Sequence, residues 1–274
     1  MKVTVVIPTM MKNKDYLKLC VESLRATVDW DIIVVSNGTK DMPNYSDIHG
    51  ITAHLHTPQQ GQCGAVNKGV VASSPTTDYV FISNDDMYYA PKWLNRLDAK
   101  EKWPLVWSPN LVEPTNNAGS AQPFLKLDAG YTLDEFNKKA VDKFVAEHKD
   151  DFTTTGFNFP VFINKEVWQT IGGYDEAYDP WGSNSDTDLQ TKIELAGIQP
   201  LRIRDVLVYH FSNKSGTFDG THQQEWWDNW NYYTDKWGFN RDDAPIPDTW
   251  MATDMVNRIK NKYHPQWENK YGKI

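Results

Sequence analysis

Two carboxylates stand side by side in Phe81-Ile82-Ser83-Asn84-Asp85-Asp86-Met87, directly after an apolar run. Placed at the end of a buried strand, one can hold a hard divalent cation while the other accepts from a ribose hydroxyl. One or two carboxylates together with a diphosphate is the usual setting of Mg²⁺ or Mn²⁺. Aspartate pairs also serve in turns and helix caps. A second cluster, Ile171-Gly172-Gly173-Tyr174-Asp175-Glu176, is followed by Trp181-Gly182 and then Ser185-Asp186-Thr187-Asp188-Leu189. Asp186 falls where a helix opens, and the helix dipole stabilises a carboxylate there. It is either a cap or a general base for a hydroxyl, with a pKa tuned toward neutrality. The third motif is Val208-Tyr209-His210-Phe211-Ser212-Asn213-Lys214-Ser215. A neutral imidazole at a strand end can complete a metal site or be structural. Lys214 is a point charge suited to a diphosphate.

The elements that must carry these residues alternate. Val3 to Ile7, ended by Pro8, is a continuous apolar run of the kind buried parallel strands show. Leu17, Val21 and Leu24 recur at helical spacing, with Asn13 or Asp15 as a cap. Ile32 to Val35 reads as a second strand, Ile51-Ala53-Leu55 as a third and Tyr79 to Ile82 as a fourth, with a glycine-containing helical stretch from Gly61 to Ser73. Alternating strands and helices predict an α/β fold around a parallel sheet, with the ligand at the carboxyl ends of the strands. Those ends carry Pro8-Thr9, Ser36-Asn37 and Asn84-Asp85-Asp86.

The segment 113–155 reads as an insertion, with Phe136, Ala140 and Phe144 on one helical face. Strand, short helix, longer helix and strand follow, at Phe159 to Ile163, Lys165 to Ile171, Ser185 to Ala196 and Val206 to Tyr209. From His222 on, Trp226, Trp227, Trp230, Tyr233 and Trp237 predict an aromatic helical extension. No internal repeat is visible.

Composition narrows the function classes. With 274 residues, 40% hydrophobic and 23% charged, the chain can bury a sizeable core. A net charge of −8 and the lack of a Lys/Arg cluster argue against a nucleic-acid partner. No apolar run approaches the roughly 20 residues that span a bilayer, and the N-terminal run is too short for a signal peptide. Cys20 and Cys63 read as free thiols of a reducing compartment, so a cytoplasmic location is expected. Twelve tryptophans serve packing or stack on the apolar faces of sugar rings.

The order of the motifs resembles family 2 glycosyltransferases with the GT-A fold. The chain shows Ile7-Pro8-Thr9, Ser36-Asn37-Gly38-Thr39 with Asp41, Gly61 to Gly69 around Asn67, Asn84-Asp85-Asp86, the Gly-Gly-Tyr-Asp-Glu segment, Asp186-Thr187-Asp188-Leu189 and His210, all in sequence order over about residues 1 to 215. Asp235-Lys236-Trp237-Gly238 resembles a frequent ending, and Trp181-Gly182 before an acidic helix resembles galactosyl- and N-acetylgalactosaminyltransferases.

The resemblance implies a Rossmann-like, mainly parallel sheet flanked by helices. A GT-A domain would span 1–220, with a nucleotide-binding half at 1–110, an acceptor half at 111–220 and a helical extension at 221–274. It further implies a UDP-sugar donor, Mn²⁺ or Mg²⁺ held by Asp86 and His210, and Asp85 near the ribose. Pro8, Thr9, Asn37 and Asn67 would lie around the base and ribose, and Asp186 would be the base. The chain departs from the family at Ser36, where Asp is frequent, and at Ser185, where Glu is frequent; Asp188 is the second candidate base. Trp181 and Tyr178 are candidates for binding a saccharide or other hydroxyl acceptor. The expected reaction is hexose transfer with inversion at the anomeric carbon, with retention as the alternative. The competing classes are a nucleotidyltransferase, for which Thr9-Met10-Met11-Lys12 is a poor phosphate loop, and a non-catalytic carbohydrate-binding protein with a degenerate site.

Overall fold

Along β1 (Val3–Thr9) the side chains of Val3, Val5 and Ile7 enter one hydrophobic core and Val6 enters another. The alternation of successive side chains puts these cores on opposite faces of one sheet. The computed structural model describes residues 1–94, 103–115, 124–150, 153–212, 214, 221–238 and 253–272, with the side chains of 253–261 left aside. On the first face lies α1 (Lys14–Arg25), which buries Leu17, Val21 and Leu24 together with Tyr16 and Cys20. Asn13 holds the cap position without a side-chain hydrogen bond, and Asp15 sits in the first turn. On the second face lies α2 (Gln62–Val71).

β2 (Asp31–Asn37), β3 (Ala53–Thr57) and β4 (Tyr79–Ile82) join β1 in parallel, in the order β3-β2-β1-β4. Beyond β4 the sheet turns mixed. β6 (Val106–Pro114) and β10 (Leu201–His210) run parallel to each other. Between β4 and β6, β9 (Val161–Asn164) runs antiparallel to both. The two-residue β5 (Met87–Tyr88) closes the edge against the end of β10. The architecture is therefore an α/β sheet flanked by helices, parallel in its N-terminal half.

The segment expected as an insertion joins the central sheet. β7 (Leu125–Leu127) pairs with β6, and β8 (Thr153–Thr155) pairs with β10. Between them α3 (Lys138–Glu147) is capped by Asn137, whose side chain accepts from the Ala140 amide. Its fully buried residues are Val141 and Val145; Phe136, Ala140 and Phe144 pack at the margin of the core.

After β9 come α4 (Lys165–Thr170) and α5 (Ser185–Leu195), with a 3-10 turn at Glu176–Tyr178 between them. Finally α6 (Gln223–Trp237) and α7 (Thr253–Tyr271) cover the second face. Tyr233, Tyr263 and Trp267 are buried in the same core as Trp168, Leu189 and Ile193, so the C-terminal helices share the core of the domain. No helix among the described residues is long and apolar enough to cross a membrane.

Candidate active site

Parallel strands end together, and here the ends of β1, β2 and β4 open into one cleft of about 250 Å³. Its lining brings together Pro8, Thr9, Asn37, Asn84, Asp85, Asp86 and His210 with Gln62, Phe159, Pro180, Trp181, Gly182 and Asp186.

At the acidic end, Thr9 Oγ1 donates to Asp85 Oδ2 at 2.6 Å, tying the end of β1 to the turn after β4. Asn37 Nδ2 donates to the Thr9 carbonyl at 3.1 Å, and its Oδ1 accepts from the Gly61 amide at 3.1 Å. Asn37 thereby fixes three chain segments at the floor of the cleft. His210 ends β10; its Nε2 lies 3.4 Å from Asp86 Oδ1 and its Nδ1 lies 3.0 Å from Glu113 Oε1. Glu113 is the buried carboxylate near the end of β6, also bridged by Lys126 at 3.0 Å.

The two aspartates separate in pKa. Burial, and then the neighbouring Asp86 charge, push Asp85 up to about 7. Burial also works to raise Asp86, but the His210 imidazolium outweighs it and holds Asp86 below the usual carboxylate range. Burial pulls His210 down, yet Asp86 and Glu113 together raise it to about 9.

These residues suit a divalent cation. A ligating histidine is normally oriented by a carboxylate on its other ring nitrogen, and the Glu113–His210 contact supplies that. Among the described residues no three His, Cys, Asp or Glu side chains form a cation cage by themselves. A site of one carboxylate and one imidazole fits a cation that completes its shell with substrate phosphates and water.

Also lining the cleft, Asp186 stands in the first turn of α5. Its carboxylate faces the cleft and accepts from Tyr174 Oη at 3.0 Å. Desolvation by the surrounding protein raises its pKa to about 6 against the lowering effect of the Tyr174 and Ser185 hydrogen bonds. A carboxylate so tuned can accept a proton near neutral pH.

The loop leading to it is held from outside. Asp179 Oδ1 accepts from the Cys63 amide at 3.0 Å and Oδ2 from the Gly64 amide at 2.9 Å, so this carboxylate caps the start of α2. Gly61, at φ +153°, permits that approach: a Cβ there would lie 2.1 Å from Asp179 Cγ.

Several expected residues sit elsewhere. Asn67 is buried away from the cleft. It donates to the Tyr174 carbonyl at 3.0 Å and to Glu176 Oε1 at 2.9 Å, and accepts from the Tyr174 amide at 2.9 Å. It braces the Gly-Gly-Tyr turn rather than a base or ribose. Asp188, 1% exposed, is enclosed by Tyr178 Oη at 3.2 Å, Trp237 Nε1 at 2.8 Å, Lys236 Nζ at 2.7 Å and Lys192 Nζ at 3.7 Å. Helical geometry turns residues two apart to different sides, so Asp188 belongs to a buried charge network and cannot meet a hydroxyl in the cleft. Tyr178 is equally buried and touches no part of the cleft.

Lys214 donates its amide to Asp86 Oδ2 at 3.3 Å, while its ammonium rests 3.0 Å from the centroid of the Tyr131 ring, beside a small recess that Asp85 shares. Cys20 and Cys63 are free and buried, as expected. Sequence reasoning missed Glu113, Asp179 and the orienting role of Tyr174. As the one charged residue of Val106–Pro114, Glu113 itself was the available signal; nothing local marks Asp179.

Residues 4–100 match the family model described as Glycosyl transferase family 2. None of the curated proteins compared by sequence matches the chain. Among solved structures it is similar to S. aureus TarS 1–349, at TM-score 0.53 and 13% identity over 99% of this chain and 74% of that one. It is similar to the same protein in complex with UDP-GlcNAc, at TM-score 0.53 and 14% identity over 77% and 61%. It is also similar to GalNAc-T7 with UDP, GalNAc and Mn²⁺, at TM-score 0.56 and 12% identity over 98% and 56%. At these identities the likeness concerns the fold. The fold is thus the GT-A fold of glycosyltransferases. Residues 4–100 carry the family 2 signature, and the protein is a glycosyltransferase.

Proposed function

We propose that the chain transfers a hexose from a nucleotide-sugar, with UDP as the first choice of nucleotide, to a hydroxyl acceptor with inversion at the anomeric carbon. The observation that carries this reading is one cleft lined by Asp85, Asp86 and His210 together with Asp186. Solved neighbours titled with UDP-GlcNAc and with UDP, GalNAc and Mn²⁺ support the choice of donor and of a divalent cation.

In this reading the base and ribose lie over Pro8, Thr9 and Asn37, with Asp85 toward the ribose hydroxyls. A cation held by Asp86 and His210 would neutralise the diphosphate leaving group. Glu113 keeps the His210 ring oriented with Nε2 toward the cleft. Trp181 offers a ring face to the acceptor sugar. Asp186 Oδ takes the proton from the acceptor hydroxyl. The freed oxygen attacks the anomeric carbon from the face opposite the diphosphate. The bond from that carbon to the diphosphate oxygen breaks, and its electron pair leaves with the diphosphate. Tyr174 holds the Asp186 carboxylate toward the cleft.

Calorimetric titration of UDP, GDP, dTDP and CDP, each with and without Mn²⁺, tests the reading. Tight, metal-dependent binding of one diphosphate is expected. Folded protein that binds none of them would sink it. Metal-dependent binding without turnover on any acceptor would point to a carbohydrate-binding protein with a degenerate site.

A further inference from the structure

α6 has one fully buried residue, Tyr233, in its second half; its first two turns carry Trp226, Trp227 and Trp230 outside the core. Trp227 is 49% exposed. Trp226 and Trp230, one turn apart, hold their rings parallel within 8° at 5.6 Å, and Trp227 meets Trp226 edge-on at 4.7 Å. Trp226 and Trp230 are half-buried, with Trp230 6.2 Å from the Tyr233 ring, and together with the exposed Trp227 they leave apolar surface in water. Such a patch, rimmed by polar groups, marks an interaction site.

The patch is continuous with the cleft. His222, the residue before α6, stacks on the ring of the cleft residue Trp181 with centroids 3.3 Å apart. Asn229, in the same turns as the tryptophans, donates from Nδ2 to the Tyr178 carbonyl at 2.9 Å and to Ser183 Oγ at 3.0 Å. These bonds fix α6 to the loop that carries Trp181 and Gly182. One aromatic series therefore runs from the wall of the cleft onto the helix surface.

The chemistry of the rim selects the occupant. Gln223, Gln224, Asp228 and Asn231 are exposed around the rings, and Glu225 and Asp228 are acidic. The helix has no Lys or Arg before Lys236. An anionic lipid surface attracts basic segments, so this face repels it; a polyanionic acceptor is repelled equally. Flat apolar rings interspersed with amides and carboxylates match the C–H faces and hydroxyls of neutral pyranoses.

We infer that the N-terminal half of α6 is the outer part of the acceptor site and binds a neutral saccharide chain extending from Trp181 over Trp226, Trp227 and Trp230. The inference rests on the transferase reading of the cleft, because it takes the acceptor end to lie beside Asp186. It makes the acceptor an oligosaccharide rather than a single sugar or a non-sugar alcohol.

The test uses the full chain and its Trp227→Ala variant, with Trp226→Ala/Trp230→Ala as a second variant. Each is titrated with chito-, cello- and malto-oligosaccharides of one to four units, in the presence of UDP and Mn²⁺, by calorimetry and tryptophan fluorescence. UDP affinity is measured separately. In the wild type, affinity for at least one series should rise with chain length. Losing a stacking ring should weaken the longer members about tenfold or more and remove the length dependence, with UDP affinity unchanged.

Equal length dependence in wild type and variants, or no binding of any series, overturns the inference. Tryptophan-dependent binding to phosphatidylcholine/phosphatidylserine vesicles in place of saccharide also overturns it and assigns a membrane. Saccharide binding that depends on Trp227 in a protein that binds no nucleotide would sink the transferase reading while keeping the saccharide face.

Discussion

Asp186 and Asp188 lie two residues apart and end in opposite surroundings. Asp186 is exposed to the cleft with one phenol donor; Asp188 is sealed among two lysines, a tyrosine and a tryptophan. Asp186 is therefore the proposed base. Asp186→Asn keeps the shape and removes the proton acceptor, so turnover should fall about 10² to 10⁴-fold while nucleotide affinity holds; undiminished transfer, followed by release of diphosphate, would move the base elsewhere. Because burial raises Asp186 to about 6, the acceptor-transfer rate should climb as pH rises through about 6 and then level. Tyr174 stabilises the charged form, so Tyr174→Phe should shift that midpoint upward. A pH–rate profile of both proteins reads the sign, and a downward or absent shift contradicts the role given to Tyr174.

At the scale of elements, the cleft depends on how the Asp179 loop meets α2. The Asp179 carboxylate satisfies two amides that the start of a helix leaves open. Gly61→Ala would set a methyl group 2.1 Å from Asp179 Cγ at a backbone φ of +153°. The carboxylate must leave its cap or the helix must shift. A loss of about 1–3 kcal/mol in chemical denaturation is expected, with a larger drop in acceptor transfer than in nucleotide affinity. Unchanged stability would mean that the loop can relax at no cost.

Across the whole molecule, the C-terminal helices attach through buried charge as well as apolar contact. Lys236 of α6 bridges Asp175 and Asp188, each at 2.7 Å. Burial works to raise the Asp175 pKa, but Lys236 and several hydrogen bonds outweigh it and hold it at about 2. An unfolded aspartate titrates near 3.9. Asp175 is thus a depressed carboxylate, whose contribution is present above about pH 4 and is lost as pH falls toward 2. Lys236→Met should lower stability by about 1–3 kcal/mol at neutral pH, since it takes the cation from the half-buried Asp175 and leaves the buried Asp188 with Lys192 alone. It should also flatten the loss between pH 4 and 2, read by denaturant midpoints at several pH values. A variant with an unchanged acid profile would show that the bridge does not set the docking of α6.

Local sequence determined much of this protein. Short continuous apolar runs bounded by turn residues read as buried strands, so β1, β2 and β4 and the carboxylates after β4 were legible locally, as were α1 from its helical spacing and the aromatic character of α6. The order of the motifs further implied the GT-A arrangement. What the sequence could not decide were contacts between residues far apart in the chain.

Asn67 lies in a loop–helix motif that suggests a ligand contact, yet α2 turns its side chain onto Tyr174, 107 residues away. Asp188 and Tyr178 carry the residue types of an active site, but the docking of α6 and α7 buries both. Segment 113–155 reads as an insertion because its short strands lack a strong period; their partners, β6 and β10, exist only once the sheet is assembled. Glu113 becomes the orienting partner of His210 97 residues away only in the folded sheet. Periodicity reports which face of an element is apolar, whereas the neighbour that face meets is fixed by the packing of the whole chain.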